Sequence, residues 1–195
     1  MVVGDVVYLS DIIFTARDMA HIRIMEYLRE GKQLVEDFGA AVFHAGPVVR
    51  KKKGKWEISV IGPTTSMRME PFSETLLGKL GVKAIIGKGG MGEGTQEALR
   101  KYCGVYLLSH PGCAVIQSKA VSRVLRFNWL DLGVPEAVWR RHKTGGQHSE
   151  SIQRGDNRVN EKSLSQTQHR APDNPKISWR QLWGWGARFG GRAGA

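Results

Sequence analysis

The feature that most constrains the fold of this chain is the end of its apolar patterning at Trp139. Up to Trp139 short apolar runs alternate with polar turns, whereas residues 140–176 are rich in Arg, Gln, Ser, Asn and Gly. The large aliphatic residues of that stretch are Ile152, Val159 and Leu164. So polar a segment buries too little apolar surface to offset its ordering entropy. We therefore predict one domain over residues 1–139 and an irregular, basic tail over residues 140–195.

The net charge of +11 is unevenly distributed along the chain. Residues 140–195 carry 11 Lys and Arg against 4 acidic residues, which leaves only +4 for residues 1–139. Nucleic-acid binding through the basic, Trp-containing tail is therefore one alternative function, although we expect neither a nucleic-acid nor a membrane partner for the domain. The N-terminus lacks the basic region of a signal peptide, and no apolar run could span a bilayer. We expect a cytoplasmic protein.

Cysteine usage and histidine spacing argue against a metal site within this chain. Cys103 and Cys113 do not form a CxxC pair. His21, His44 and His110 are scattered, without acidic or cysteine neighbours at ligand spacing. An iron–sulfur cluster normally needs three or four cysteines, so this chain could not hold one alone in the usual way.

Hydrophobic periodicity predicts a mixed α/β domain. Residues 4–16 are interpreted as two short strands joined near Ser10 and Asp11, followed by a helix that Asp18 caps and Gly31 ends. Residues 40–49 and 56–62 are predicted to pair around an exposed basic connection. The remaining predicted elements are helices at 71–80, 95–102 and 111–120 and strands at 83–86, 105–108 and 124–130.

Three cations lie in Gly/Thr-rich turns after predicted strands. Arg17 follows the first strands, Arg68 lies in the segment Gly62–Met69, and Lys88 lies in the glycine loop Gly87–Gly92. Strand ends are where α/β folds gather ligand-binding groups. Two guanidinium groups and one ammonium suit a small dianion, because arginine matches a carboxylate bidentately. Taken singly, each cation is more often an ordinary surface charge.

The glycine loop also fits a dinucleotide-binding pattern. Gly87, Gly89 and Gly92 match GxGxxG between a predicted strand and a predicted helix. The next strand, however, ends at Leu108-Ser109-His110, without an acidic residue to hold a ribose. A dinucleotide-binding domain is therefore kept as a second alternative.

The three segments resemble the beta region of class I fumarases and L(+)-tartrate dehydratases. The family pattern TARDxAH, GPTTxxRM, GKG and LGxPEAxW is matched here by Thr15–His21, Gly62–Met69, Gly87–Gly89 and Leu132–Trp139. The match covers about residues 4–139, and GPTTxxRM is its most specific element. After Trp139 the chain departs from the family pattern, which a frameshift or an altered terminus would explain.

The resemblance implies a swivelling β/β/α three-layer domain in the beta subunit of a hydro-lyase. Such an enzyme hydrates fumarate to malate or dehydrates tartrate, in a hetero-oligomer whose alpha subunit binds a [4Fe–4S] cluster. The resemblance implies that Thr64 and Lys88 are catalytic and that Thr64 exchanges the proton on carbon. The implied substrate-binding residues are Arg17, Thr65, Arg68 and Lys88. Asp18 and His21 would support them from behind, a structural role being the alternative for His21.

Overall fold

The computed structural model describes residues 6–34, 36–39, 41–143, 150–153 and 176–178. These residues form a mixed α/β structure with one large sheet, one hairpin and helices. Within these ranges, no helix has the length and apolar character needed to cross a membrane. Most of the predicted tail lies outside the described residues.

The elements follow one another in a mixed order of strands and helices. The strands are β1 Val6–Thr15, β2 Ala41–Phe43, β3 Val48–Lys52, β4 Lys55–Val60, β5 Ala84–Gly87, β6 Val105–Leu108, β7 Val121–Asn128, β8 Val138–Lys143, β9 Glu150–Gln153 and β10 Lys176–Ser178. The helices are α1 Asp18–Arg29, α2 Ser73–Gly78, α3 Glu93–Lys101 and α4 Ala114–Lys119, with 3-10 helices at Ser66–Phe72 and Leu130–Leu132. Four of these elements lie close to their predicted positions, namely the strands β5 and β6 and the helices α1 and α3.

The large sheet joins eight of the described strands in the order β2-β5-β6-β9-β1-β8-β7, with β10 also paired to β1. β1, β2, β5 and β6 run parallel, whereas β7, β8 and β9 pair antiparallel. β3 and β4 form a separate hairpin that turns at Lys53 and Gly54. The prediction of an α/β domain is therefore confirmed at the level of a sheet with helices.

Residues 4–16 were predicted as two strands, and this prediction is wrong. β1 is continuous from Val6 to Thr15. Asp11, where the break was expected, adopts a φ of 102° inside the strand. The segment contains a local irregularity but no chain reversal, because neighbouring strands bind β1 on both sides of it.

Two further local predictions need correction. Asp18 does not cap α1: Arg17 is the N-cap residue, without a side-chain capping bond, and Asp18 is the first residue of the helix. Residues 40–49 do not form one strand, because β2 joins the main sheet while β3 begins at Val48 in the hairpin. The basic run is therefore part of β3 and not only its connection.

The central strands are buried on both faces, which explains their continuous apolar runs. Val42, Ile85 and Tyr106 belong to a cluster shared with α1, α2 and α3. Their neighbours, among them Phe43 and Ile86, belong to a second cluster. That second cluster also includes Ile61 and is packed by Ile58 and Val121, from β4 and β7. Helices therefore cover one face of the sheet, and the hairpin side covers the other.

The parallel arrangement brings the carboxyl ends of four strands to one edge of the sheet. β1 leads to Arg17, β2 to His44, β5 to Lys88 and β6 to Ser109. Backbone hydrogen bonds continue the sheet across this edge, from His44 N to Ile86 O (2.8 Å) and from Ser109 N to Gly87 O (2.7 Å). Of the predicted site residues, Arg17 and Lys88 therefore lie at the edge where the parallel strands end.

Candidate active site

The segment that contains Thr64 and Thr65 is fixed to the sheet edge by its backbone. Thr64 N donates to His44 O at 2.7 Å, and Ser66 N donates to Lys88 O at 3.0 Å. Thr65 and Lys88 form a parallel bridge. The 3-10 helix then begins at Ser66. These bonds place the Thr64–Thr65 turn directly beside the glycine loop.

Arg68 connects Thr64 with Asp18. Its Nη2 donates to Thr64 Oγ1 at 2.8 Å and lies 3.0 Å from Asp18 Oδ2. The Arg68 side chain is half exposed, so the ion pair by itself adds little stability. The ion pair fixes the position of Arg68, because Asp18 at the start of α1 holds the guanidinium that bonds the Thr64 hydroxyl.

Arg17 is held by Glu136, a residue that sequence reasoning did not assign to the site. Arg17 Nε lies 3.2 Å from Glu136 Oε1, and the other carboxylate oxygen accepts a hydrogen bond from Met19 N at 3.1 Å. Glu136 therefore satisfies a free amide in the first turn of α1 and orients the arginine that precedes the helix.

Lys88 is half-buried after β5. Among the described residues, no hydrogen bond or ion pair is found for its ammonium group. Since Arg17 and Arg68 both carry a carboxylate partner, Lys88 is the site cation whose charge is least compensated locally. An ammonium with no carboxylate partner among the described residues is suited to bind an anionic ligand.

The glycine loop is fixed by Glu70, from the 3-10 helix. Glu70 accepts hydrogen bonds from Gly92 N and Thr95 N, each at 2.9 Å, and from the Thr95 hydroxyl. These amides lie at the start of α3, where a dinucleotide phosphate would otherwise bind. Because a protein carboxylate already occupies them, the structure disfavours the dinucleotide alternative.

Ser66 connects the threonine turn, the glycine loop and β2 through its hydroxyl. Its Oγ lies 2.9 Å from His44 Nδ1 and accepts a bond from Lys88 N at 3.3 Å. A Cβ added to Gly87 would lie 1.7 Å from this oxygen, so only glycine fits there. Tyr106, which also bonds Ser66, donates to Gly89 O at 2.9 Å. Burial raises the pKa of Tyr106 to about 12, so its phenol stays protonated.

Two buried histidines lie beneath the site. His21 Nδ1 donates to Arg17 O at 2.6 Å, and its ring lies edge-to-face with His44 at 5.3 Å between centroids. Burial lowers the pKa of His21 to about 4, and burial together with the His21 charge lowers the pKa of His44 well below its usual value. Both rings are therefore neutral near pH 7: His21 bonds the backbone of Arg17, and His44 bonds the hydroxyl of Ser66.

The structure brings the predicted site residues together to different degrees. Side-chain contacts join Thr64, Arg68 and Asp18, and backbone bonds join Thr65 with Lys88. Arg17 is next to Asp18 in the chain, but its side chain is held by Glu136. Sequence reasoning missed Glu70, Glu136 and the role of Ser66. Their partners are distant in the chain, so no local spacing could have revealed them; only the presence of Glu136 in the segment Leu132–Trp139 was a signal.

The chain has two cysteines, fewer than the three or four that an iron–sulfur cluster normally takes as ligands. Its two cysteines, Cys103 and Cys113, are both free, the first exposed and the second half-buried. Over the part of the chain that the structure describes, no three His, Cys, Asp or Glu residues are grouped so that they could hold a metal ion.

Comparison with known proteins identifies relatives over the same region. Residues 1–143 match the family described as Fumarase C-terminus. The L(+)-tartrate dehydratase subunit beta of Escherichia coli (strain K12) is 43% identical over 137 residues, which is 70% of this chain and 67% of that protein. A Geobacillus stearothermophilus protein named "Putative fumarate hydratase class I" is 41% identical over 138 residues, 70% of this chain and 26% of that protein.

Proposed function

The chain belongs to the Fumarase C-terminus family, and from this membership we propose that it is the beta subunit of a hydro-lyase acting on a four-carbon dicarboxylate. Fumarate and tartrate are the two substrates that the relatives' names suggest. The observation that carries the proposal is the hydrogen bond from Arg68 Nη2 to Thr64 Oγ1, in a turn whose next residue, Thr65, is bridged to Lys88.

The proposed chemistry is a proton transfer at carbon by the Thr64 hydroxyl. A threonine hydroxyl is a poor base in water, so its alkoxide needs strong stabilisation. Arg68 donates directly to Oγ1, and Lys88, directly after β5, is bridged through its backbone to the next residue, Thr65. Preorganised donors of this kind stabilise charge where it develops, without further reorganisation. Thr64 and Lys88 are thus the proposed catalytic residues.

The proposed substrate contacts are the two guanidinium groups, the Lys88 ammonium and the Thr65 hydroxyl. Arg17 and Arg68 each have planar donors that suit a carboxylate. Both already have a carboxylate partner in the protein, Glu136 and Asp18. These partners hold the guanidinium planes in place, and the remaining donors can bind a dicarboxylate dianion. In this proposal Asp18 and His21 support the binding residues without touching the substrate.

We also propose that a [4Fe–4S] cluster is held by an alpha subunit and not by this chain. The relative named "subunit beta" implies a partner in that protein, and two cysteines are too few for a cluster. A cluster iron acting as a Lewis acid would polarise the hydroxyl and one carboxylate of the substrate. The proposed tertiary arrangement is the swivelling three-layer β/β/α domain, supported by helices on one face and the hairpin on the other.

The first prediction concerns Thr64. In the anaerobically reconstituted heteromer, Thr64→Val should lower kcat for fumarate hydration or tartrate dehydration by about 10²–10⁴-fold, the usual range for loss of an acid–base group. Co-purification with the alpha subunit should be unchanged. Thr75→Val on α2 makes the same chemical change outside the site and should leave kcat unaltered. Near-normal turnover by Thr64→Val would contradict the proposed role.

The nucleic-acid alternative depends on the tail, and it stays a separate hypothesis. Residues 144–149, 154–175 and 179–195 lie outside the described residues. Binding to nucleic acid that is retained by residues 140–195 alone and weakened by salt would favour it over the hydro-lyase proposal.

A further inference from the structure

We propose that Glu136 is a positioning residue for substrate binding and that it acts by fixing the direction of the Arg17 guanidinium. The inference deepens the proposed function and rests on it, because Arg17 is a proposed substrate contact. Glu136 is not proposed to contact the substrate itself; it acts through Arg17.

The carboxylate of Glu136 binds Arg17 and the helix that follows it at the same time. One oxygen lies 3.2 Å from Arg17 Nε, and the other accepts the Met19 amide at 3.1 Å. Both side chains are largely buried, at 26% and 18% exposure. Arg17 Nε faces the carboxylate at ion-pair distance without a hydrogen bond, so Glu136 directs the guanidinium by charge and packing. The Glu136 carboxylate thus contacts both the arginine side chain and the first turn of α1.

Packing around Arg17 restricts it further. A Cβ added to Gly46 would lie 2.7 Å from Arg17 Nη1, 2.8 Å from its Cδ and 2.8 Å from Pro135 O. The arginine stem therefore lies in a narrow slot between Gly46 and the turn that contains Pro135. A larger residue at position 46 would displace the arginine or the turn.

The turn that carries Glu136 is held rigidly by the residues on either side. Gly133 adopts a φ of 92°, a conformation that favours glycine, and its carbonyl accepts hydrogen bonds from Glu136 N and Ala137 N. The fully buried Trp139 donates its indole N–H to Val134 O at 2.9 Å. The segment LGVPEAVW therefore has a physical role: it anchors the carboxylate that directs Arg17.

Two possible roles of Glu136, an electrostatic role and a positioning role, predict opposite changes in dianion binding when its carboxylate is neutralised. If Glu136 acted only through its charge, neutralising it would make the site more positive and would strengthen binding of a dianion. If it fixes the direction of Arg17, neutralising it would misalign a donor fork and weaken binding. The sign of the change in KM therefore distinguishes the two effects.

The test compares Glu136→Gln with Glu136→Ala in the reconstituted heteromer. Glutamine retains an oxygen for the Met19 amide, so Glu136→Gln should keep the melting temperature near wild type, whereas Glu136→Ala should lower it. We expect both to raise KM for the dicarboxylate roughly tenfold, with a smaller change in kcat. Glu74→Gln is the matched control for charge: it removes an exposed carboxylate of α2 that pairs with Lys101 of α3, and it should change neither constant.

Each outcome decides the question. A KM that is unchanged or lower in Glu136→Gln, with an active wild-type heteromer, overturns the positioning role while the proposed function stands. A wild-type heteromer that neither turns over nor binds fumarate or tartrate overturns the proposed function, and the positioning role with it. A higher KM in both variants, with a normal melting temperature for Glu136→Gln, supports the inference.

Discussion

At the scale of single residues, two cations of the candidate site each pair with a carboxylate. Arg68 bonds Thr64 on one side and Asp18 on the other. Thr64 and Arg68 are only four residues apart in the chain. The contact with Asp18 could not be anticipated, because it joins the start of α1 to a segment 50 residues later. Which cation has which carboxylate partner was therefore decided by the packing of elements.

The buried histidines predict a pH-dependent stability. The folded-state pKa of His21 is lowered to about 4 from its ordinary 6.5, and His44 shifts in the same direction. Because the unfolded chain binds protons first, stability is fully present above about pH 6.5 and is lost as the pH falls toward 4. His21 alone should lower the free energy of unfolding by about 3 kcal/mol across this window. Denaturant unfolding at several pH values measures it.

The control for this prediction is a variant without the titrating ring. His21→Gln should be less stable at pH 8, since it loses packing against Phe72 and His44. Its stability should nevertheless decline less steeply than wild type between pH 6.5 and 4. Carboxylates titrate in the same range in both proteins, so the difference between the two slopes isolates His21. Equal slopes would contradict the assignment.

At the scale of elements, the glycine loop is fixed by a carboxylate from a different helix. Glu70 bonds the amides of Gly92 and Thr95 at the start of α3, as a capping residue would, but from a position 22 residues earlier in the chain. Sequence reasoning located the loop and the helix correctly and kept a nucleotide motif as an alternative interpretation of the glycines. Only the fold shows that the motif's amides are already bonded.

Replacing Glu70 should therefore destabilise α3 and disturb the loop that carries Lys88. Glu70→Ala removes charged hydrogen bonds to three donors, and we expect the free energy of unfolding to fall by about 2 kcal/mol or more. Urea unfolding monitored by circular dichroism measures the loss. Glu97→Ala, on the exposed face of the same helix, controls for helix propensity and should change stability by less than about 0.5 kcal/mol. A Glu70→Ala protein as stable as Glu97→Ala would contradict the capping role.

At the scale of the whole molecule, the domain boundary remains a prediction that truncation can test. β8 extends from Val138 to Lys143, four residues past the predicted end at Trp139. Its last residues pair with both β1 and β7, and Arg141 is buried, at 2% exposure. Ending the chain after Trp139 would leave the edges of both strands unpaired.

A chain ending at Lys143 should therefore melt at a clearly higher temperature than one ending at Trp139. Removal of residues 140–143 deletes a strand from between two others, and a loss of about 2 kcal/mol corresponds to several degrees for a protein of this size. Differential scanning calorimetry of the two truncated chains makes the comparison. Equal melting temperatures would place the boundary at Trp139 after all.

The sequence by itself determined the local elements and the residue types of the site. Apolar runs bounded by Gly and Pro located β5, β6, α1 and α3, because short-range periodicity reports burial directly. The motifs indicated the family, and they contain the candidate site residues Arg17, Thr64, Arg68 and Lys88. Short-range sequence patterns were sufficient to make these predictions.

Only the tertiary structure decided which side chains meet. Glu136 reaches Arg17 across 119 residues, Glu70 reaches Thr95 across 25, and Ser66 reaches His44 across 22. Such contacts follow from the order and direction of strands in the sheet, which no local pattern encodes. The physical reason is that parallel strands bring distant chain segments to one edge, where the groups that orient a cation need share no spacing with it.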